Sequence, residues 1–177
     1  MNDIIGKKLE KIRINKVLPF IKGKLLDIGC GNNGLKDTYG NGIGVDVYDW
    51  GNVDLIVKDT SKIPLKTQSV DTITIIAALN HIPNRGEVIY ECQRLLCNDG
   101  KLIITMIPPI ISTVWHFLRK PWDVDQSERG MKEGEVYGMT SKQIIELAKE
   151  SGFKLKKVSS FMFAINKLYV FEKNKIS

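Results

Sequence analysis

The residues best suited to chemistry gather around one short stretch, KLLDIGCGNNG, from Lys24 to Gly34. An apolar run carries an acidic residue, Asp27, into a turn with glycines at 29, 31 and 34. The letters spell G-x-G-x-x-G, a spacing that lets backbone approach a ligand where side chains would block it. Farther on, Asp46 ends a second apolar segment. A carboxylate at such a strand end can accept both hydroxyls of a ribose. On these residues NAD and an adenosyl ligand fit equally well.

Asp27 helps separate the two. A dinucleotide site binds pyrophosphate, an anion, at the turn and the helix N-terminus that follows. A carboxylate at the end of the strand is a poor neighbour for that anion and a good one for an ammonium group. S-adenosylmethionine carries an α-ammonium and a sulfonium and has no phosphate. The crossover is also short. Only Leu35 to Asn41 lies between Gly34 and Gly42, room for two helical turns at most.

The elements that must hold these residues alternate in type. A helix is expected over residues 3–18, with Ile5, Leu9 and Ile12 on one face. Strands are expected at Lys24–Ile28, Ile43–Val47, Val53–Val57, Val70–Ala78 and Leu102–Ile107. The run VDTITIIAA at Val70–Ala78 turns continuously apolar, as in a strand buried on both faces. A helix over 85–97 puts Val88, Cys92, Leu95 and Leu96 together, and Asn98-Asp99-Gly100 stops it. Thr140 and Gln143 fit a capping box for a helix over about 141–151, with Gly152 beyond its end. Two last strands, 153–162 and 167–172, are expected around a tight turn containing Asn166. The alternation predicts an α/β fold, a mostly parallel sheet with helices on both faces and an antiparallel C-terminal strand.

With these pieces in order, the chain resembles the class I S-adenosylmethionine-dependent methyltransferases, near the type 11 group. The resemblance rests on LLDIGCG at 25–31, GVDV at 44–47 and KDTSKIPLKTQSVDTITIIAALNHIPN at 58–84. LLCNDGKLIITMIPP at 95–109 and GFKLKKV at 152–158 complete the series. It implies a Rossmann-like, seven-stranded sheet in a single domain over 1–177. It also implies roles. Asp27, Gly29, Cys30 and Gly31 would line the methionine moiety. Asp46 would bind the ribose hydroxyls and Val47 would pack on the adenine. Asp59 would accept from the adenine amino group with Thr60 beside it, and Ala78, Leu79 and Asn80 would end the fourth strand against the cofactor. One departure stands out. The family often has a third glycine two residues after the second, and here that position is Asn33.

His81 follows the fourth strand and is the candidate general base, because an imidazole titrates near neutral pH. The sulfonium is already an activated leaving group, so positioning alone can supply much of the rate. No metal-ligand cluster is visible in the sequence. Residues 108–138 form a long excursion, expected as a substrate lid. Its Trp115, His116, Trp122 and Tyr137 are the candidate acceptor contacts. Its apolar and cationic part, 110–122, suits a transient contact with a membrane surface.

Composition bounds the rest. The three cysteines, Cys30, Cys92 and Cys97, lack C-x-x-C spacing and build neither a disulfide framework nor a zinc site. Net charge is +6, from lysines spread along the chain. That leaves RNA or an anionic membrane as partner classes beside a plain solvated surface. The start carries no signal-peptide core, and a cytoplasmic location is the expectation. The expected function is methyl transfer to a small-molecule, lipid or glycan acceptor. The alternatives are an RNA methyltransferase, a non-catalytic cofactor-binding or partner-regulating protein, and, third, an NAD-dependent enzyme.

Overall fold

Strand residues that alternate between two cores decide where each helix sits. The computed structural model describes residues 4–109, 134–136 and 138–174. Leu25 joins one apolar cluster and Leu26 the other. Ile103 parts in the same way from Leu102 and Ile104, and Leu168 and Val170 part from Tyr169 and Phe171. This is the period of two of a pleated strand with both faces covered.

The elements run α1 (Ile4–Val17), a 3-10 turn (Leu18–Phe20), β1 (Leu25–Ile28), α2 (Gly34–Tyr39), β2 (Gly42–Asp46) and β3 (Leu55–Ile56). Then come β4 (Val70–Ile76), a 3-10 turn (Leu79–His81), α3 (Arg85–Leu95), β5 (Leu96–Met106), α4 (Ser141–Glu150), β6 (Phe153–Phe161) and β7 (Asn166–Lys173). The seven strands form one sheet in the order β3-β2-β1-β4-β5-β7-β6. β1 pairs in parallel with β2 and β4, and β4 with β5, while β7 runs antiparallel to β5 and β6. Strand order reverses between β1 and β4, and ligands of open α/β sheets bind beyond the carboxyl ends of the strands at such a switch.

α3 and α4 cover one face with Val88, Ile89, Cys92, Leu95, Ile144 and Ala148. α1 and α2 cover the other with Ile14, Val17 and Leu35. α4 begins with the expected capping box, Gln143 N–H donating to Thr140 Oγ1 and Thr140 N–H to Gln143 Oε1. Gly152, at φ 83°, ends it in left-handed backbone.

Four local expectations are corrected. α1 does not bury Ile12, which is 39% exposed. The helix docks by its last turns, so Ile14 and Val17, three apart, face the sheet instead. α3 stops at Leu95 because Leu96 turns extended and pairs with Val70. β3 shrinks to Leu55–Ile56 at the sheet's edge. Asn166 is not in the last turn: it opens β7 opposite Phe161, and the turn is Met162–Ile165.

Candidate active site

The turn after β1 needs its glycines for two different reasons. Gly29 has φ 71°, and a Cβ there would lie 2.6 Å from the Cβ of Ala78. It therefore allows the ends of β1 and β4 to touch. Gly31 has φ 53°, and a Cβ there would meet nothing within 4 Å. It borders open space, as a backbone cradle for a ligand would. The N–H groups of Gly29 and Cys30 both reach the carbonyl of Val45, at 2.9 and 3.2 Å. The turn is thus tied to the end of β2.

Asn33, at the position where the resemblance leads one to expect a third glycine, adopts glycine-like backbone, φ 61°. Asparagine is among the non-glycine residues that best tolerate that region. Its buried amide donates to the Asn52 carbonyl at 2.6 Å and to Asp54 Oδ2 at 3.1 Å. Asp54 Oδ2 also accepts the Gly44 N–H at 2.7 Å, and Asp54 Oδ1 pairs with Lys36 at 3.0 Å. Gly44 makes room for this brace, since a Cβ there would collide with Asn33 Oδ1.

Two carboxyl groups face the turn from successive strand ends. Asp27 is buried and accepts the Thr74 hydroxyl at 2.6 Å. Burial pushes its carboxyl up to about 7; the Thr74 bond opposes the rise, and the charges of Asp46 and Glu10 add to it. Asp46 is oriented entirely by backbone. Its Oδ2 accepts Gly31 N–H at 3.0 Å, and its Oδ1 accepts Val47 N–H at 2.7 Å and Tyr48 N–H at 3.1 Å. Burial, and then the nearby Asp27, Asp46 and Asp54 charges, push the Cys30 thiol up to about 12, so it stays protonated. The carboxyl groups around the turn make its surroundings acidic and favour a cation.

The remaining site residues rim this centre. Val47 and Tyr48 are exposed at the end of β2, with Tyr48 edge-on to Trp50 at 4.8 Å between centroids. Val57 N–H donates to the Asp46 carbonyl at 2.9 Å, which brings the Asp59-Thr60 loop alongside. Asp59 Oδ1 accepts Ser61 N–H at 2.8 Å and the Asn84 amide at 3.0 Å; these bonds hold its carboxyl below the usual range. Thr60 is buried. Ala77, a non-glycine at φ 51°, turns the chain after β4 into Ala78, Leu79 and Asn80. Leu79 points into the core, so it offers the site its backbone alone.

His81 lies at the end of that turn. Its Nδ1 stands 3.5 Å from Glu135 Oε2, and the Glu135 side chain is only 2% exposed. Arg85 fixes the segment that carries Glu135 by donating to the Gly134 carbonyl at 2.6 Å, and Val136 N–H donates to the Asn80 carbonyl at 3.0 Å. Glu135 was invisible in the sequence, 54 positions from His81. Thr74 could have been found, because the alternation of β4 places it beside Asp27. Trp115, His116, Trp122 and Tyr137 lie outside the described residues. Among the described residues no group of three His, Cys, Asp or Glu side chains could hold a metal ion.

A seven-stranded sheet of this order, with a glycine turn and two carboxyls at its switch point, is a Rossmann-like fold. Residues 26–104 match the family model of the methyltransferase domain. Solved S-adenosylmethionine-dependent methyltransferases share the fold of the chain. An uncharacterised protein of Methanocaldococcus jannaschii is 27% identical over 169 residues, 92% of this chain and 78% of its own length. A demethylmenaquinone methyltransferase of Thermotoga maritima is 27% identical over 118 residues, 58% of this chain and 51% of its own. The fold also matches the S-adenosylmethionine-dependent methyltransferase of Mesorhizobium loti, with TM-score 0.69, 16% identity and coverage of 93% and 97%.

Proposed function

We propose that the chain transfers a methyl group from S-adenosylmethionine to a small-molecule, lipid or sugar acceptor, held at the carboxyl edge of the sheet. One observation carries the placement of the cofactor: a buried carboxyl, Asp27, beside a glycine turn that opens onto free space. The following helix, α2, has six residues. Such a helix gives little support to a pyrophosphate, whereas the anionic surround suits a sulfonium and an ammonium.

When bound, the cofactor supplies a methyl group on positively charged sulfur, already activated for transfer. The chain's own residues bind and orient. Asp27 receives the ammonium near Gly29, Cys30 and Gly31. Asp46, preset by three backbone N–H groups, receives the ribose hydroxyls without reorganising. Val47 covers one face of the adenine, Asp59 accepts from its amino group beside Thr60, and the turn Ala78–Asn80 closes the wall. His81 takes the acceptor's proton on Nε2, with Nδ1 turned to Glu135, which fixes the tautomer. Trp115, His116, Trp122 and Tyr137 contribute to the acceptor pocket. The Thermotoga relative, named for a quinone-type acceptor, supports an apolar acceptor.

Calorimetry with S-adenosylhomocysteine and with NAD tests the cofactor site: homocysteine-ligand binding without NAD binding is expected, and the reverse overturns it. Methyl-labelled cofactor incubated with extract fractions tests the acceptor. Label in a lipid or small-molecule fraction supports the proposal. Label in RNA, or in no fraction at all, replaces it with the RNA enzyme or the non-catalytic binder.

A further inference from the structure

The hairpin between β6 and β7 adopts a shape its own residues resist. Met162, Phe163 and Ala164 lie in succession in left-handed backbone, at φ 53°, 54° and 64°. None is glycine or asparagine, the residues that enter that region readily. The stretch Phe161–Ile165 reads FMFAI, and Phe163 at its tip is fully exposed, at 102%. The strain is held in place. Ile165 N–H donates to the Met162 carbonyl at 3.0 Å. Buried Asn166 donates to Met162 Sδ at 3.5 Å and accepts Arg13 Nε from α1 at 3.4 Å. A constrained, water-facing phenylalanine is a feature in search of a partner.

Its position suggests which partner. Lys167, just after the tip, is in register with Met106 at the carboxyl end of β5. The tip therefore projects from the edge that carries the glycine turn. Two strand spacings put β7 about 10 Å from β4, and three put it about 14 Å from β1. α1 brings charge to the same edge. Its Glu10 abuts Gly34, and its Arg13 reaches the base of the tip. The chain then leaves at the opposite edge, where the Thr72 hydroxyl meets the Lys22 carbonyl at 2.8 Å. Residues 6–9 thus lie over the carboxyl edge, where Lys7 and Lys8 are exposed, with Lys11 also exposed next to Glu10.

We propose that this edge docks on an anionic lipid surface, with Phe163 at the headgroup boundary and Lys7, Lys8 and Lys11 on the headgroups. The shape decides between partners. A stable protein interface needs about 800 Å² from each side with good complementarity, and the tip offers one convex aromatic group. A bilayer accepts a protruding ring without a matching pocket, and lysines near its surface add attraction. Nucleic acid would use the lysines and leave the apolar tip without a role. Docking stands independently of the cofactor site. Its use, admitting a lipophilic acceptor from the membrane straight to the site, rests on the proposed acceptor class.

The test is flotation of the full chain with vesicles of phosphatidylcholine alone, and with about 30% phosphatidylglycerol added. The chain is expected to float with the anionic vesicles and to be released by high salt. Phe163→Ser should lower the partition about tenfold. Phe163→Trp should keep it and shift tryptophan emission to the blue on binding. Tyr90→Ser removes an exposed aromatic on α3 and should change nothing. Equal flotation of Phe163→Ser and the parent chain overturns the proposal, as does failure of the parent chain to float. Failure of S-adenosylhomocysteine binding would leave this result untouched, so the two readings fail separately.

Discussion

Replacing Asp27 by asparagine separates what this carboxyl does to the fold from what it does for the ligand. Asparagine keeps the acceptor that Thr74 needs at 2.6 Å and removes the ionisable group. In the unfolded chain a carboxyl titrates near about 4, and in the fold burial lifts Asp27 to about 7. The difference corresponds to an upper bound of about 4 kcal/mol against the ionised form. Between those two values the folded protein binds more protons than the unfolded chain. The stability contributed by the neutral carboxyl is therefore complete below about pH 4, falls as pH rises through the window, and is gone above about 7. Asp27→Asn should flatten that decline and melt several degrees higher than the parent at pH 8, with little change at pH 4. Binding should move the other way. An ammonium needs the carboxylate, so from about pH 5.5 to 7 the parent's affinity for S-adenosylhomocysteine should rise roughly fifteen-fold, with proton release on binding. The substitution should cost about ten- to a hundred-fold in affinity at pH 7, the worth of one charged hydrogen bond. Thermal melts and calorimetry in buffers of different ionisation enthalpy read both effects. An affinity flat from pH 5.5 to 7, or an Asp27→Asn protein that binds as the parent does, refutes the reasoning.

Gly44→Ala should destabilise the fold by about 1–3 kcal/mol through its collision with Asn33. Adding Asn33→Gly should recover at least about 1 kcal/mol of that in a denaturation double-mutant cycle, and additive losses would deny the contact. Asp46→Ala should weaken S-adenosylhomocysteine binding at least about tenfold by calorimetry, whereas unchanged affinity removes its ribose role. The chain has two histidines, so long-range proton–nitrogen spectra resolve His81 directly. Its proton should sit on Nδ1 and revert to Nε2 in Glu135→Ala; a parent protein already in the Nε2–H form contradicts the orientation by Glu135.

The centre of the sheet was legible because burial leaves a plain mark. β1 and β4 are buried between two helical layers, and mostly apolar residues fill such strands. The α4 cap was legible because Thr140 and Gln143 form a local, self-contained device. The placement of Asp27 and Asp46 toward the ends of neighbouring strands was legible through their register. What stayed hidden depends on residues far apart in the chain. The face of α1 is chosen by which turn docks. The partner of His81 comes from another segment, and the brace at Asn33 works only because Gly44 is small. The last hairpin misled for a different reason: Asn166 has the composition of a turn residue, yet it is spent inside β7 holding Arg13 and Met162.

The most direct measurement is a crystal structure of the chain with S-adenosylhomocysteine. The nucleoside should lie along the carboxyl edge, with its amino group at Asp27 beside Gly29 and Gly31 and its ribose at Asp46. A ligand bound away from that turn, or with its amino group pointing from Asp27 into solvent, would contradict the account.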